Sequence, residues 1–206
     1  MDLFRYADSK SALKPFPPTS LRPPSNVPYV VDNLWEWTRP AHYPSRRACA
    51  FASPSRTDAV TSAKGPWADG MLYQVHFADD AHVVQLAVKD AADHPDAGSK
   101  GLRRLLFRLL DQLAALPKDH NWAGLSLDAK RAAAPLFVPC LSAGEVEAIL
   151  GAGGPLEAIG AELRAAVTFW ASCMPVNPSA AALPNPDGEV FYSFELPHRF
   201  TLSQLD

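Results

Sequence analysis

Proline placement constrains this chain more than any other feature. Its 20 prolines are about twice the ordinary share, and they are clustered. Proline fixes φ and donates no backbone hydrogen bond, so a cluster marks backbone that is neither helix nor central strand. The first cluster runs from Pro15 to Pro28 and includes Pro17-Pro18 and Pro23-Pro24. Residues 8–28 therefore read as an ordered loop after a short first strand at Leu3–Tyr6. A second cluster, Pro175 to Pro186, reads as a loop before the last strand.

Between the clusters the patterning is mixed. Tyr29-Val30-Val31 reads as a brief strand and Asn33-Leu34-Trp35-Glu36-Trp37 as a helical turn with two indoles to bury. Arg46 to Ser53, Met71 to Phe77 and His82 to Val88 read as strands, the last two joined by a turn at Ala78-Asp79-Asp80. Ser55-Arg56-Thr57-Asp58-Ala59 opens like a capped helix. In Gly101–Leu116, residues Leu102, Leu105, Leu106, Leu109, Leu110 and Leu113 share one helical face. Ser142-Ala143-Gly144-Glu145 is a capping box, and the helix it opens ends near Gly151. Another helix runs from Pro155, a favoured first position, to Ala171. Glu189-Val190-Phe191-Tyr192-Ser193-Phe194 is the strongest β-type run. Strands at both ends around a helical middle predict an α+β fold with a mainly antiparallel, split sheet. The 206 residues fit one domain, with 101–171 as a helical insertion or lid.

Hydrophobic residues make up 48 % and charged residues 20 %, the balance of a globular protein. A net charge of -3 gives no nucleic-acid signature, since phosphate-gripping domains carry a basic stripe. No stretch of 18 apolar residues predicts a membrane span. Cys49, Cys140 and Cys173 form no Cys-x-x-Cys pair and read as reduced thiols. With no secretory signal at the N-terminus, the expected location is the cytoplasm, or a target cell's cytosol reached without a cleaved signal. The six histidines lack zinc-ligand spacing, so no metal is expected.

Three short stretches carry the chemistry. Leu3-Phe4-Arg5-Tyr6-Ala7 places a cation inside an apolar first strand. Phe51-Ala52-Ser53-Pro54-Ser55 ends a strand in hydroxyls. Asp187-Gly188-Glu189-Val190-Phe191-Tyr192 puts two acids at the lip of a strand. In this order they resemble the ADP-ribosyltransferase family in its Arg–Ser–Glu form. Two positions depart from that family's pattern: Pro54 stands where threonine is usual, and Asp187 replaces Glu or Gln.

The resemblance implies NAD as substrate and a macromolecular acceptor, a protein, or else water. It implies that Arg5 holds the pyrophosphate, which an arginine grips bidentately. Ser53 and Ser55 would shape the ribose site. Glu189 would stabilise the charge that develops as the nicotinamide–ribose bond breaks, and Asp187 would serve the acceptor. Trp35 and Tyr192 complete the cofactor-binding set, Trp35 as an aromatic wall with Arg39, Arg46 or Arg47 near phosphate.

Plainer readings stand beside these. Arg5 suits a surface charge, Ser53 and Ser55 a turn and an N-cap, Glu189 the solvated start of a strand, and Arg46-Arg47 a solvated edge. Two other functions remain open. One is a non-enzymatic interaction, immunity or adaptor protein with an aromatic, Pro-rich binding face. The other is a hydrolase or nuclease using His94, Asp96 or His120.

Overall fold

A computed structural model describes residues 2–8, 21, 23–62, 70–79, 81–113, 125–193 and 200–205. Most of the expected 8–28 loop, His120 and the last turn of the 101–116 helix lie outside them. The described residues form seven strands and six helices, an α+β chain with two antiparallel sheets. No described helix is long and apolar enough to cross a membrane.

The sequence reads as one domain; contacts within the chain divide it into two compact units. Unit 1 holds residues 1–21, 41–90 and 172–206, and unit 2 holds 22–40 and 91–171. The expected helical middle thus shares its unit with the Trp-bearing segment near the N-terminus.

Unit 1 carries both sheets. β1 (Phe4–Asp8), β3 (Gly70–Phe77) and β7 (Phe200–Gln204) form one, in the order β1-β3-β7. β2 (Cys49–Ala52), β4 (Val83–Leu86), β5 (Cys173–Val176) and β6 (Val190–Ser193) form the other, in the order β2-β6-β4-β5. Side chains alternate across each strand, so register decides which face each one joins. Leu3 and Val75 from the first sheet meet Ala50, Ala52, Val83, Val176, Val190 and Tyr192 from the second, with Phe77 and Leu202 packed alongside. An antiparallel bridge between Phe4 and Ser53 ties the sheets together. Pro175, expected in a loop, lies inside β5. It is tolerated because β5 is an edge strand, where a missing N–H leaves no ladder bond unmade.

Unit 2 is helical. Its first helix, α1 (Tyr29–Trp37), absorbs the brief strand expected at 29–31. The Pro28 carbonyl accepts from Val31 and Asp32, and Val30, Val31 and Leu34 are fully buried. Burial of three such side chains stabilises by several kcal/mol, which outweighs the few tenths that β-branching costs a helix. α2 (Arg56–Ser62), which belongs to unit 1, starts where Ser55 Oγ accepts from the Asp58 amide. α3 (Leu102–Leu113) buries Leu102, Leu106, Leu109 and Leu110 as its spacing predicts. Leu113 breaks the stripe at 49 % exposure.

α4 (Leu127–Ala133), which the sequence did not reveal, is capped by Ser126. α5 (Ala143–Leu150) opens with the expected capping box and stops at Gly151. α6 (Glu157–Ala166) is shorter than expected, because a separate 3-10 turn, Phe169–Ser172, follows it. α5 and α6 pack at Gly160, where a Cβ would sit 1.8 Å from the Leu150 carbonyl oxygen.

Candidate functional site

The three motif stretches all belong to unit 1, and pairing brings their strands side by side. β2 pairs with β6 through Phe51↔Phe191 and Ala52↔Val190. The ladder ends there, with Ser53 just past the end of β2 and Glu189 just before the start of β6. Ser53 is also bridged to Phe4, the neighbour of Arg5. Residues at 5, 53 and 189 are therefore adjacent in strand order although nearly the whole chain separates them.

Alternation then divides them. Opposite residues in an antiparallel pair share a face, so Phe51, Ser53, Glu189 and Phe191 lie on one side. Ala50, Ala52, Val190 and Tyr192 lie on the other, against the first sheet. Arg5 is on that second side, where its Nη1 donates to Tyr192 Oη at 3.4 Å. Tyr192 packs edge-on to Phe77 with ring centroids 4.9 Å apart. The arginine and the glutamate thus face opposite sides of the strand plane. Tyr192 is 1 % exposed in the core between the sheets, so its expected place in the cofactor-binding set is corrected: a phenol so enclosed braces Arg5 and offers no surface to a ligand.

Glu189 has another cation. Arg46 Nη2 donates to its Oε2 at 3.2 Å, with side-chain exposures of 8 % and 15 %. The Arg46 guanidinium also lies over the Phe51 and Phe191 rings, 5.1 and 5.8 Å from their centroids. The solvated edge expected for Arg46-Arg47 is corrected: both arginines are buried, in a 3-10 turn leading into β2. The aromatic pair on β2 and β6 supplies the reason, since it offers two π-faces to a cation that the carboxylate neutralises.

The serines make local bonds. Ser53 Oγ accepts from the Ser55 amide at 3.1 Å, and Ser55 Oγ caps α2. These are the turn and N-cap roles. Each hydroxyl proton stays available as a donor, since one oxygen can accept and donate at once. Asp187 is exposed at the rim, where Lys89 Nζ lies 4.0 Å from it and 3.6 Å from Asp58.

The loop carrying both acids is latched from within, a feature the sequence did not signal. Gln85 is fully buried on β4, and its amide donates to the Asn185 and Gly188 carbonyls at 2.6 and 3.1 Å. Its Oε1 accepts from the Asn185 amide at 2.9 Å. Gly188 is the one residue that fits its position, because a Cβ would lie 2.0 Å from the Leu86 carbonyl oxygen. Beyond the latch, the Glu189 amide donates to Val88 and its carbonyl accepts from Leu86, at 2.9 and 2.8 Å. The main chain under the carboxylate is held on both sides.

Trp35 requires a correction. It is 1 % exposed in unit 2, stacked on Phe169 at 4.0 Å, and its Nε1 donates to Asp96 at 3.0 Å. An indole so enclosed offers no wall to a nicotinamide. His94 and Asp96 are buried in the same core. The Asp96 carboxylate accepts from Trp35, from the Thr168 amide and hydroxyl and from the Phe169 amide. That carboxylate is saturated by structural donors and is not placed for hydrolysis.

Cys173 lies beside the Arg46–Glu189 pair. Burial pushes its thiol from 9.0 up to about 12; Arg46 and a Ser172 hydrogen bond oppose the rise, and Glu189 adds to it. Burial also raises Tyr43, with Cys173 adding to it, and the Tyr43 hydroxyl donates to the Cys173 carbonyl. A raised folded-state pKa means that the native thiol keeps its proton while the unfolded one loses it. The stabilisation is complete below pH 9 and is lost as pH rises from 9 towards 12. Urea unfolding at pH 8, 9.5 and 10.5 should show wild type losing its margin over Cys173→Ala. A margin that is flat with pH would contradict the assignment.

Comparisons with protein-family models, curated proteins and solved structures find no match to this chain.

Proposed function

We propose that unit 1 is an NAD-dependent ADP-ribosyltransferase scaffold with Glu189 as its catalytic carboxylate. The observation that carries this reading is the pairing of β2 with β6, which sets Ser53 at the end of one strand and Glu189 at the start of its neighbour, with Ser53 bridged to Phe4 beside Arg5. In the reaction the C1′–N bond of NAD breaks, and nicotinamide leaves with the bonding pair. The Glu189 carboxylate offsets the positive charge left on C1′. An acceptor nucleophile, or water, then attacks C1′ and passes its proton to Asp187 at the rim.

Ser53 and Ser55 hold the ribose through their free hydroxyl protons. Arg5 lies on the other face, braced by the buried Tyr192, so the pyrophosphate must reach round the Phe4–Ser53 bridge to meet it. The macromolecular acceptor is a protein, and no metal takes part.

One observation favours a second reading. Arg5 and Glu189 face opposite sides, and Glu189 is already paired with a buried arginine. A non-enzymatic interaction protein would use that pair only as a structural clasp. Two measurements separate the readings: nicotinamide release followed by chromatography, and NAD binding by calorimetry. The transferase reading expects both from the wild-type chain. Absence of both would leave the interaction protein.

A further inference from the structure

Unit 2 carries a groove of about 590 Å³ that none of the chemistry above uses. Lys100, Arg104 and Arg108 line it, together with Leu105, Ala166 and Thr168. Arg104 and Arg108, four apart, stand over one another on one face of α3, and Lys100 lies in the turn just before the helix. The two arginines repel by roughly 0.2–0.5 kcal/mol, so the arrangement carries a cost for an isolated helix.

The cations have little to neutralise them. Arg108 meets Glu162 at 3.6 Å with both side chains more than half exposed, a pair that solvent screens. Lys100 and Arg104 make no ion pair with another described residue. Asp96 is the carboxylate in the lining, and its oxygens are turned to Trp35, Thr168 and Phe169. A concave wall with three cations and an inward-turned acid is suited to an anion. Its volume falls in the range of small-ligand pockets, about 300–1,000 Å³. Guanidinium forks at 104 and 108 match phosphate oxygens bidentately, and Leu105 and Ala166 supply an apolar flank for an organic group.

We propose that this groove binds a small organic polyphosphate through Lys100, Arg104 and Arg108. It owes nothing to the chemistry assigned to unit 1.

Calorimetry with sodium pyrophosphate on the full chain at low salt is the test. Wild type should bind one pyrophosphate per chain, and Lys100→Glu or Arg104→Glu should each weaken it at least tenfold. Arg103→Glu is the control: it lies on the same helix, packed over Phe107 and outside the groove lining, and should change affinity less than twofold. All these side chains are exposed, and unchanged thermal midpoints would verify the fold. Arg104→Gln replaces Arg104→Glu if the reversal does not fold.

Three results would overturn the assignment. One is no binding by wild type, and another is an equal loss from Arg103→Glu, which would indicate diffuse charge. The third is tight binding of a short single-stranded DNA that pyrophosphate cannot displace, which would make the face a nucleic-acid surface.

Discussion

Glu189→Gln is expected to lower nicotinamide release by about 10²–10³-fold, the usual effect of removing one electrostatic stabiliser from a reacting centre. Stability should fall far less. The glutamine carbonyl can still accept from Arg46, so the cost is about 1–2 kcal/mol, that of a weakened charged hydrogen bond. Arg46→Ala is the harsher structural change. It removes the cation over Phe51 and Phe191 and breaks the ion pair of a largely buried carboxylate, at about 3–5 kcal/mol. Comparing the two variants is therefore decisive. If Glu189 is catalytic, Glu189→Gln loses activity out of proportion to stability. If the pair is only a clasp, NAD turnover is absent from wild type and both variants differ from it in stability alone.

Asp96→Ala should produce the largest loss of stability in unit 2, about 3–5 kcal/mol. Its carboxylate accepts from Trp35 Nε1 at 3.0 Å, the Thr168 amide and hydroxyl at 3.0 and 2.7 Å, and the Phe169 amide at 3.0 Å. Hydrogen bonds to a charged acceptor contribute about 1.5–3 kcal/mol each, though bonds sharing one acceptor do not add fully. Truncation also strands an indole N–H in a core where Trp35 stacks on Phe169. Trp35→Phe loses one of these bonds and some volume, and should cost about 1–3 kcal/mol. Urea denaturation of both variants would check the ranking. If Asp96→Ala proved as mild as a surface change, within about 0.5 kcal/mol, the hub would not be structural.

Signals that act within a few residues were legible in the sequence. The Ser142 capping box, the leucine stripe of α3 as far as Leu110 and the β-run through Tyr192 all formed as expected. Each depends on local hydrogen bonding or on a period of 3.6 or 2. Tyr29–Trp37 was misread at its start, because burial of Val30, Val31 and Leu34 overrides their β preference. The strand at Cys173–Val176 was hidden by Pro175, which only an edge position makes acceptable.

For the candidate site the division is similar. The resemblance of three short stretches to the ADP-ribosyltransferase pattern singled out Arg5, Ser53, Asp187 and Glu189, helped by a cation in an apolar strand and paired acids at a strand lip. Their relation was not in the sequence. Strand pairing decided that Ser53 and Glu189 sit at the ends of neighbouring strands while Arg5 faces away, since shifting a register by one residue would exchange the faces. Arg46, which clasps Glu189, and Gln85, which latches the acid loop, lie more than a hundred residues away along the chain. No local pattern encodes contacts across that separation. What the sequence determined by itself is the set of elements and the chemically unusual side chains. Which of those side chains share a face, and which are spent on holding the fold, was decided by the tertiary structure, through register and burial.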